Sequence, residues 1–110
     1  MPKRESVAAD ARLFAALSDP TRLRLVTTVA HRGSATASEL ARLLPISRQA
    51  IAKHLRVLYG ARVVARRVEH SGVRYEARVE RLREAATSLE AIASQWESRL
   101  ARLKAIAEKP

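Results

Sequence analysis

Apolar residues recur along this chain with two different periods, and the changes of period divide it into elements. From Val7 to Leu17, Val7, Ala11, Phe14 and Ala15 return at helical spacing, which predicts a packing helix over 7–17 with Asp10 and Arg12 off its apolar stripe. Asp19 reads as the N-cap of a second helix, with Pro20 at the first helical position, where a missing N–H costs nothing. Leu23, Leu25, Val26, Val29 and Ala30 make that helix apolar on most sides, so a central position is expected. It should stop at His31, Arg32 and Gly33, with glycine as the breaker and His31 as a helix-end cation. Thr36 and Glu39 have capping-box spacing ahead of Leu40, Leu43 and Leu44, predicting a short third helix before Pro45.

The stretch from Ser47 to Leu58 organises the rest. Ser47 can accept from a free first-turn amide, and Ile46 with Ile51 has the spacing of a hydrophobic staple. At about 100° per residue, Ile51, Leu55 and Leu58 share one face, while Gln49, Ala52, Lys53 and Arg56 gather on the other. Two short helices joined this tightly predict a helix-turn-helix over 37–59, its second helix entering a DNA major groove. An ordinary amphipathic surface helix is the alternative.

After Tyr59 and Gly60 the period becomes alternating. Val64 to Val68, a tip at Glu69 to Gly72, and Val73, Tyr75, Ala77 and Val79 predict a β-hairpin within 62–79, the wing of a winged helix. Arg67 and Arg74 flank the tip; they could reach phosphate or minor groove, or stand as solvent-facing strand residues. His70 reads as a polar loop residue. From Glu80 to Glu108 a long helix follows, with Leu82, Leu89, Trp96 and Leu103 every seven residues and Ala85, Ile92, Leu100 and Ile106 filling the stripe. Such a seam is too long for this domain to cover. It predicts packing on the same helix and the first helix of a second subunit, with Val7, Ala11, Phe14, Leu89, Ile92, Trp96, Leu100 and Leu103 at the interface. Trp96 reads as interface core rather than as a cofactor contact, and no cofactor is expected.

Composition sharpens this picture. A chain of 110 residues makes one small domain, and at that size it buries only about 65% of its unfolded surface. Much of its 47% hydrophobic content is alanine, and its aromatic residues are Phe14, Tyr59, Tyr75 and Trp96, so partner burial and an obligate dimer are expected. The formal charge of +10 points to a polyanion, because each Lys or Arg on a phosphate releases a counterion. The alternative is an alanine- and arginine-rich composition, with Arg4, Arg12, Arg99 and Arg102 as solvated surface. There is no cysteine, hence no disulfide or thiolate metal site. No apolar run approaches a membrane span, and the start Met-Pro-Lys-Arg-Glu lacks a signal-peptide core, so a cytoplasmic protein is expected. No catalytic constellation is visible: the three histidines fall on a helix end, the reading helix and the hairpin tip.

Leu17-Ser-Asp-Pro-Thr-Arg-Leu-Arg-Leu25, Ser38-Glu-Leu-Ala41, Ser47-Arg-Gln-Ala-Ile-Ala-Lys-His-Leu55 and the hairpin ending at Tyr75 together resemble the arsenical-resistance repressor (ArsR) family of winged-helix regulators, from about Phe14 to Val79. The resemblance implies a mainly α winged helix-turn-helix that dimerises through its N- and C-terminal helices. It places Ser47, Arg48, Gln49, Ala52 and Lys53 where the family faces DNA; position 52 is often serine there, so Ala52 departs from the pattern. His54 matches a histidine common in the family and reads as a packing residue. Ala41 and Leu43 stand where the family's metal sensors carry thiolates, and Arg81, Ile92 and Gln95 near the last-helix ligand positions, which implies a branch without metal sites. The expected protein is thus a homodimeric, metal-independent regulator of transcription, a repressor on double-stranded palindromic DNA, with room for a small-molecule or protein inducer. Its rivals are a protein-interaction module on a winged-helix frame and a sequence-indifferent chromosome-coating protein.

Overall fold

The computed structural model describes the backbone of residues 4–108 and the side chains of residues 9–108. Its elements are α1 (Arg4–Leu17), α2 (Pro20–Arg32), β1 (Ala35–Thr36), α3 (Ala37–Leu43), α4 (Arg48–Gly60), β2 (Val64–Glu69), β3 (Gly72–Ala77) and α5 (Val79–Glu108). Helices dominate, and one three-stranded antiparallel sheet of order β1-β3-β2 accompanies them, the architecture of a winged helix-turn-helix.

Local chemistry sets the joints. Asp19 Oδ2 accepts from the Arg22 amide at 3.0 Å, capping α2, while Arg22 Nε donates to the Ala16 carbonyl at 2.6 Å and so serves the end of α1. The Asp-Pro-Thr-Arg segment is therefore a double cap between two helices. Gly33, at φ 86°, ends α2 in a conformation that costs an L side chain. Thr36 Oγ1 accepts from the Glu39 amide at 3.1 Å, as its spacing predicts, but the Glu39 carboxylate meets Arg74 and Arg32 instead of completing the capping box. Ser47 Oγ accepts from the Ala50 amide at 3.1 Å, starting α4.

The end of α4 is a turn rather than a glycine stop. Gly60 is helical, and Arg62 takes the left-handed conformation at φ 61°. The Arg62 amide donates to the Tyr59 carbonyl and the Val63 amide to the Leu58 carbonyl, both at 3.0 Å, which is a Schellman motif. Leu58 and Val63 are both fully buried, the apolar contact that accompanies such a turn. The hairpin thus leaves α4 through a hydrogen-bonded corner.

In the hairpin, β2 and β3 pair from Val64↔Ala77 to Glu69↔Gly72, with His70 and Ser71 at the tip. The sequence pattern does not show β1, whose two residues pair with β3 as Ala35↔Tyr75 and Thr36↔Arg74. Side chains on paired residues share a face. One face therefore carries the row Ala35, Tyr75 and Arg66, and the other Thr36, Arg74 and Arg67.

Leu13, Leu25, Val29, Leu40, Ile51, Leu55, Leu58, Val63 and Val64 form the centre of the core, closed by Tyr75 and by Ala85 of α5. Each fully buried aliphatic side chain of this kind contributes about 1.5–3 kcal/mol. Two expectations change. Helix α2 packs on α1, α4 and β3 through Leu25, Val26 and Val29 but leaves Leu23 and Ala30 in solvent, so it is amphipathic rather than apolar on most sides. On α1 the buried residues are Leu13 and Ala16, with Phe14 of the expected stripe packed beside them and Ala11 and Ala15 exposed. Leu82 and Ala85 hold α5 to the body, and the helix runs on beyond it, giving extents of 71 × 30 × 20 Å. No helix among the described residues is long and apolar enough to cross a membrane.

Candidate nucleic-acid interface

Helix α4 has two unlike faces because its caps and its period agree. Ile51, Leu55 and Leu58 have no exposed surface, which fixes the helix against the body. Arg48, Gln49, Lys53 and Arg56 point into solvent, Ser47 stands exposed at the cap, and Ala52 is half-buried. Among the described residues, Arg48, Lys53 and Arg56 make no ion pair. The face is thus cationic with an uncharged amide at Gln49, mounted on a helix that cannot rotate without opening the core. His54 is half-buried on the flank of α4. The hydrogen bond from the Arg22 amide, first, holds the Asp19 carboxyl below the usual range.

The hairpin arginines divide by face. Arg67 is exposed but donates to Glu69 at 3.2 Å and to Glu76 at 3.0 Å. Arg74 departs from the expectation that it stands free near the tip. Its side chain is 22% exposed, with Nη2 2.9 Å from Glu39 Oε1, Nε 3.1 Å from Glu69 Oε1 and Nη1 3.2 Å from Ser34 Oγ. The register Thr36↔Arg74 brings Arg74 beside the start of α3, so it ties the sheet to that helix. Hydrogen bonds from Arg74, first, and from Arg67 hold the Glu69 carboxyl below its usual range, and Arg74 does the same for Glu39. Arg66, on the opposite face, stacks over Tyr59 with Cζ 3.9 Å from the ring centroid.

The proposed interface residues lie apart from these. Leu89, Ile92, Trp96, Leu100 and Leu103 are all more than half exposed along one side of α5, with Arg99 Cζ 5.8 Å from the Trp96 ring. Ala11 is exposed and Phe14 half-buried, whereas the Val7 side chain lies outside the described residues. Where α1 meets α5, Asp10 is buried, although its position off the apolar stripe predicts a solvent-facing residue. It accepts from Ser88 Oγ at 2.9 Å, and Arg81 Nη2 lies 2.9 Å from its other oxygen, although not aligned for a hydrogen bond. Ser88 and then Arg81 hold the Asp10 carboxyl below its usual range. The signal was present in spacing: Asp10 and Leu13 are three apart on α1, and Arg81 and Ser88 flank the buried Ala85. Among the described residues no group of three or more His, Asp or Glu could hold a metal ion.

The helix-turn-helix domain pattern matches residues 17–67. The fold is similar to that of an ArsR-like transcriptional regulator from Rhodococcus sp. RHA1, with a TM-score of 0.85 and 42% identity over 96% of this chain and 99% of that one. It is also similar to a possible transcriptional regulator for arsenical resistance, with a TM-score of 0.65 and 34% identity over 89% and 97% of the two chains. The HTH-type transcriptional regulator Rv2034 of Mycobacterium tuberculosis is 48% identical over 56 residues, a match that spans 51% of each chain.

Proposed function

Since the chain belongs to the ArsR family of winged helix-turn-helix transcriptional regulators, which are not enzymes, we propose that it acts as a homodimeric, metal-independent repressor on a two-fold symmetric DNA site. The observation that carries this reading is the unpaired cationic face of α4. In the major groove, Gln49 would meet adenine edges and Lys53 guanine edges, and the Ala52 methyl could rest on a thymine methyl. Ser47, Arg48 and Arg56 would hold the helix to flanking phosphates, positioning it without reading sequence. The exposed apolar side of α5 supports the dimer, because a contiguous patch of this kind marks an association surface. Two copies would set their α4 helices about 34 Å apart, in successive major grooves of one side of the duplex. Occluding a promoter in the cytoplasm in this way represses it, and a small-molecule or protein inducer would act by releasing the dimer.

Metal independence is part of the proposal. The chain has no cysteine, and Ala41 and Leu43 occupy the positions before the reading helix where thiolates would stand. Zinc, cadmium and arsenite should neither bind stoichiometrically nor release DNA; a one-to-one zinc isotherm of micromolar affinity coupled to DNA release would refute this part.

Selecting bound sequences from a pool of random duplexes tests the whole. A regulator returns a palindrome, a chromosome-coating protein returns duplexes without a motif, and a protein-interaction module returns nothing. Either of the latter outcomes overturns the reading.

A further inference from the structure

Three arginines crowd the hairpin, and their surroundings are unequal. The guanidinium of Arg67 is met by Glu69 and Glu76, and that of Arg74 by Glu39 and Glu69. To reach a phosphate, either would have to leave its carboxylates, stranding negative charge beside the negative DNA backbone. Arg66 carries no such burden. It is exposed, makes no ion pair among the described residues, and has its Cζ 3.9 Å from the centre of the Tyr59 ring. Its cross-strand partner is the buried Tyr75, so it stands on the sheet face that packs toward the core.

The position of Tyr59 gives this stack its meaning. Gln49, Ala52, Arg56 and Tyr59 follow one another at spacings of three, four and three, which is one line along α4. Tyr59 therefore ends the line that Gln49 begins, and Arg66 extends it from α4 onto the hairpin. Stacking on a ring holds a guanidinium without neutralising it, and leaves its in-plane N–H edges free to fork onto a phosphate. Pairing with a carboxylate uses up those same edges.

We propose that Arg66, held over the Tyr59 ring, is the hairpin's contact to the DNA phosphate backbone, while Arg67 and Arg74 are structural ties. The proposal rests on the reading of α4 as the DNA-reading helix. It moves the hairpin's contact from the tip to the corner beside α4, where the Schellman turn fixes its place relative to Gln49 and Lys53.

The test uses the full chain, a duplex of the sequence that the wild type selects, and a scrambled duplex of equal length. Affinities are measured over a range of salt for Arg66→Ala, Arg66→Lys, Tyr59→Ala, Tyr59→Phe and Arg67→Ala. Arg66→Ala should weaken both duplexes alike and flatten the slope of log affinity against log salt by about one unit. The ratio of wild-type to variant affinity should then shrink about three- to fourfold between about 50 and 200 mM salt. Arg66→Lys should keep the slope, Tyr59→Phe should match the wild type, and Arg67→Ala should leave the slope unchanged. Tyr59→Ala should lose part of what Arg66→Ala loses, and the double variant should be no weaker than Arg66→Ala alone. Wild-type affinity and slope in Arg66→Ala, or the slope loss appearing in Arg67→Ala instead, overturns the assignment. Undiminished binding by Tyr59→Ala overturns the role given to the ring. A wild type that holds neither duplex at any salt sinks the reading of α4 itself, and this proposal with it; Arg66 is exposed, so unchanged circular dichroism should separate all these outcomes from misfolding.

Discussion

In the body of the molecule, Leu13, Leu25, Leu40, Ile51, Leu55 and Leu58 are enclosed by their own chain, whereas on α5 from Leu89 outward every large apolar side chain is more than half exposed. The residue types are the same, and so is their helical spacing. What differs is who covers them. Leu82 and Ala85 belong to the same stripe as Leu89 and Trp96, yet they pack on the body, while exposure climbs from 51% at Leu89 to 69% at Ile106. A seven-residue repeat therefore announces a seam without saying whose surface closes it. In the proposed dimer, stability of the body and stability of the assembly become separable quantities, and substitutions in the two regions should behave differently.

The largest separation should come from Trp96→Asp. An unpaired carboxylate placed in a buried interface costs about 3–5 kcal/mol, so the variant should scatter light as a monomer and lose operator affinity while its body stays folded. A dimer with unchanged DNA affinity would remove α5 from the interface. Leu55→Ala should act on the opposite side of the comparison, lowering the free energy of unfolding by about 2–5 kcal/mol through the cavity it leaves. Urea titrations at several protein concentrations should show that loss without weakening the concentration dependence that the dimer produces. A loss confined to the dimer would mean that the body is not the independent unit described.

Substitutions on the reading face should disturb neither kind of stability. Gln49→Ala and Lys53→Ala are expected to cost about 1–3 kcal/mol on the preferred duplex and to relax preference at particular base pairs. Binding to a panel of single-base operator mutants measures this, and unchanged preference in both variants would remove α4 from the role of reader. The smallest effect should be a pH dependence confined to the body. Asp10, Glu39 and Glu69 are held below the usual carboxylate range by their hydrogen bonds. The folded state therefore favours their charged forms more than the unfolded chain does, and this stabilisation is complete above the unfolded values of about 4 and lost as pH falls through the depressed folded ones. Unfolding measured from neutral pH into acid should show the decline, and Asp10→Asn with Glu39→Gln should flatten it; an unaltered acid limb in the double variant would count against these contacts.

Much of this fold was legible in the sequence because its joints are local. Asp19, Thr36 and Ser47 each cap a helix through an amide three residues on, a relation that needs no knowledge of the rest of the chain. The two faces of α4 and the hairpin tip at His70 and Ser71 follow from period alone. What stayed hidden depends on partners distant in sequence. Strand β1 is two residues long and exists only because Ala35 and Thr36 reach Tyr75 and Arg74. The tether of Arg74 to Glu39 spans 35 positions, and that of Asp10 to Ser88 spans 78. On α1 the alanines blur the contrast between faces, so that Leu13 and Ala16 are buried beside Phe14 while Ala11 stands exposed. Of the candidate site, the α4 face could be read directly; the unequal standing of Arg66, Arg67 and Arg74 could not, since alternation assigns faces but not the carboxylates that wait on them.

The projection of α5 beyond the body has a mechanical consequence. Its hold on the body is concentrated near its start, at Leu82, Ala85 and the contact of Asp10 with Arg81 and Ser88. From Ala85 to Glu108 the helix reaches about 35 Å at its usual rise, so a tilt of about 5° at that anchorage carries its far end sideways by about 3 Å. In a symmetric pair joined along these rods, the same tilt is applied twice and appears as a change in the distance between the two α4 helices. In the proposed dimer the α1–α5 joint would then be a fulcrum, through which a shift of Arg81 against Asp10 would change the separation of the two α4 helices.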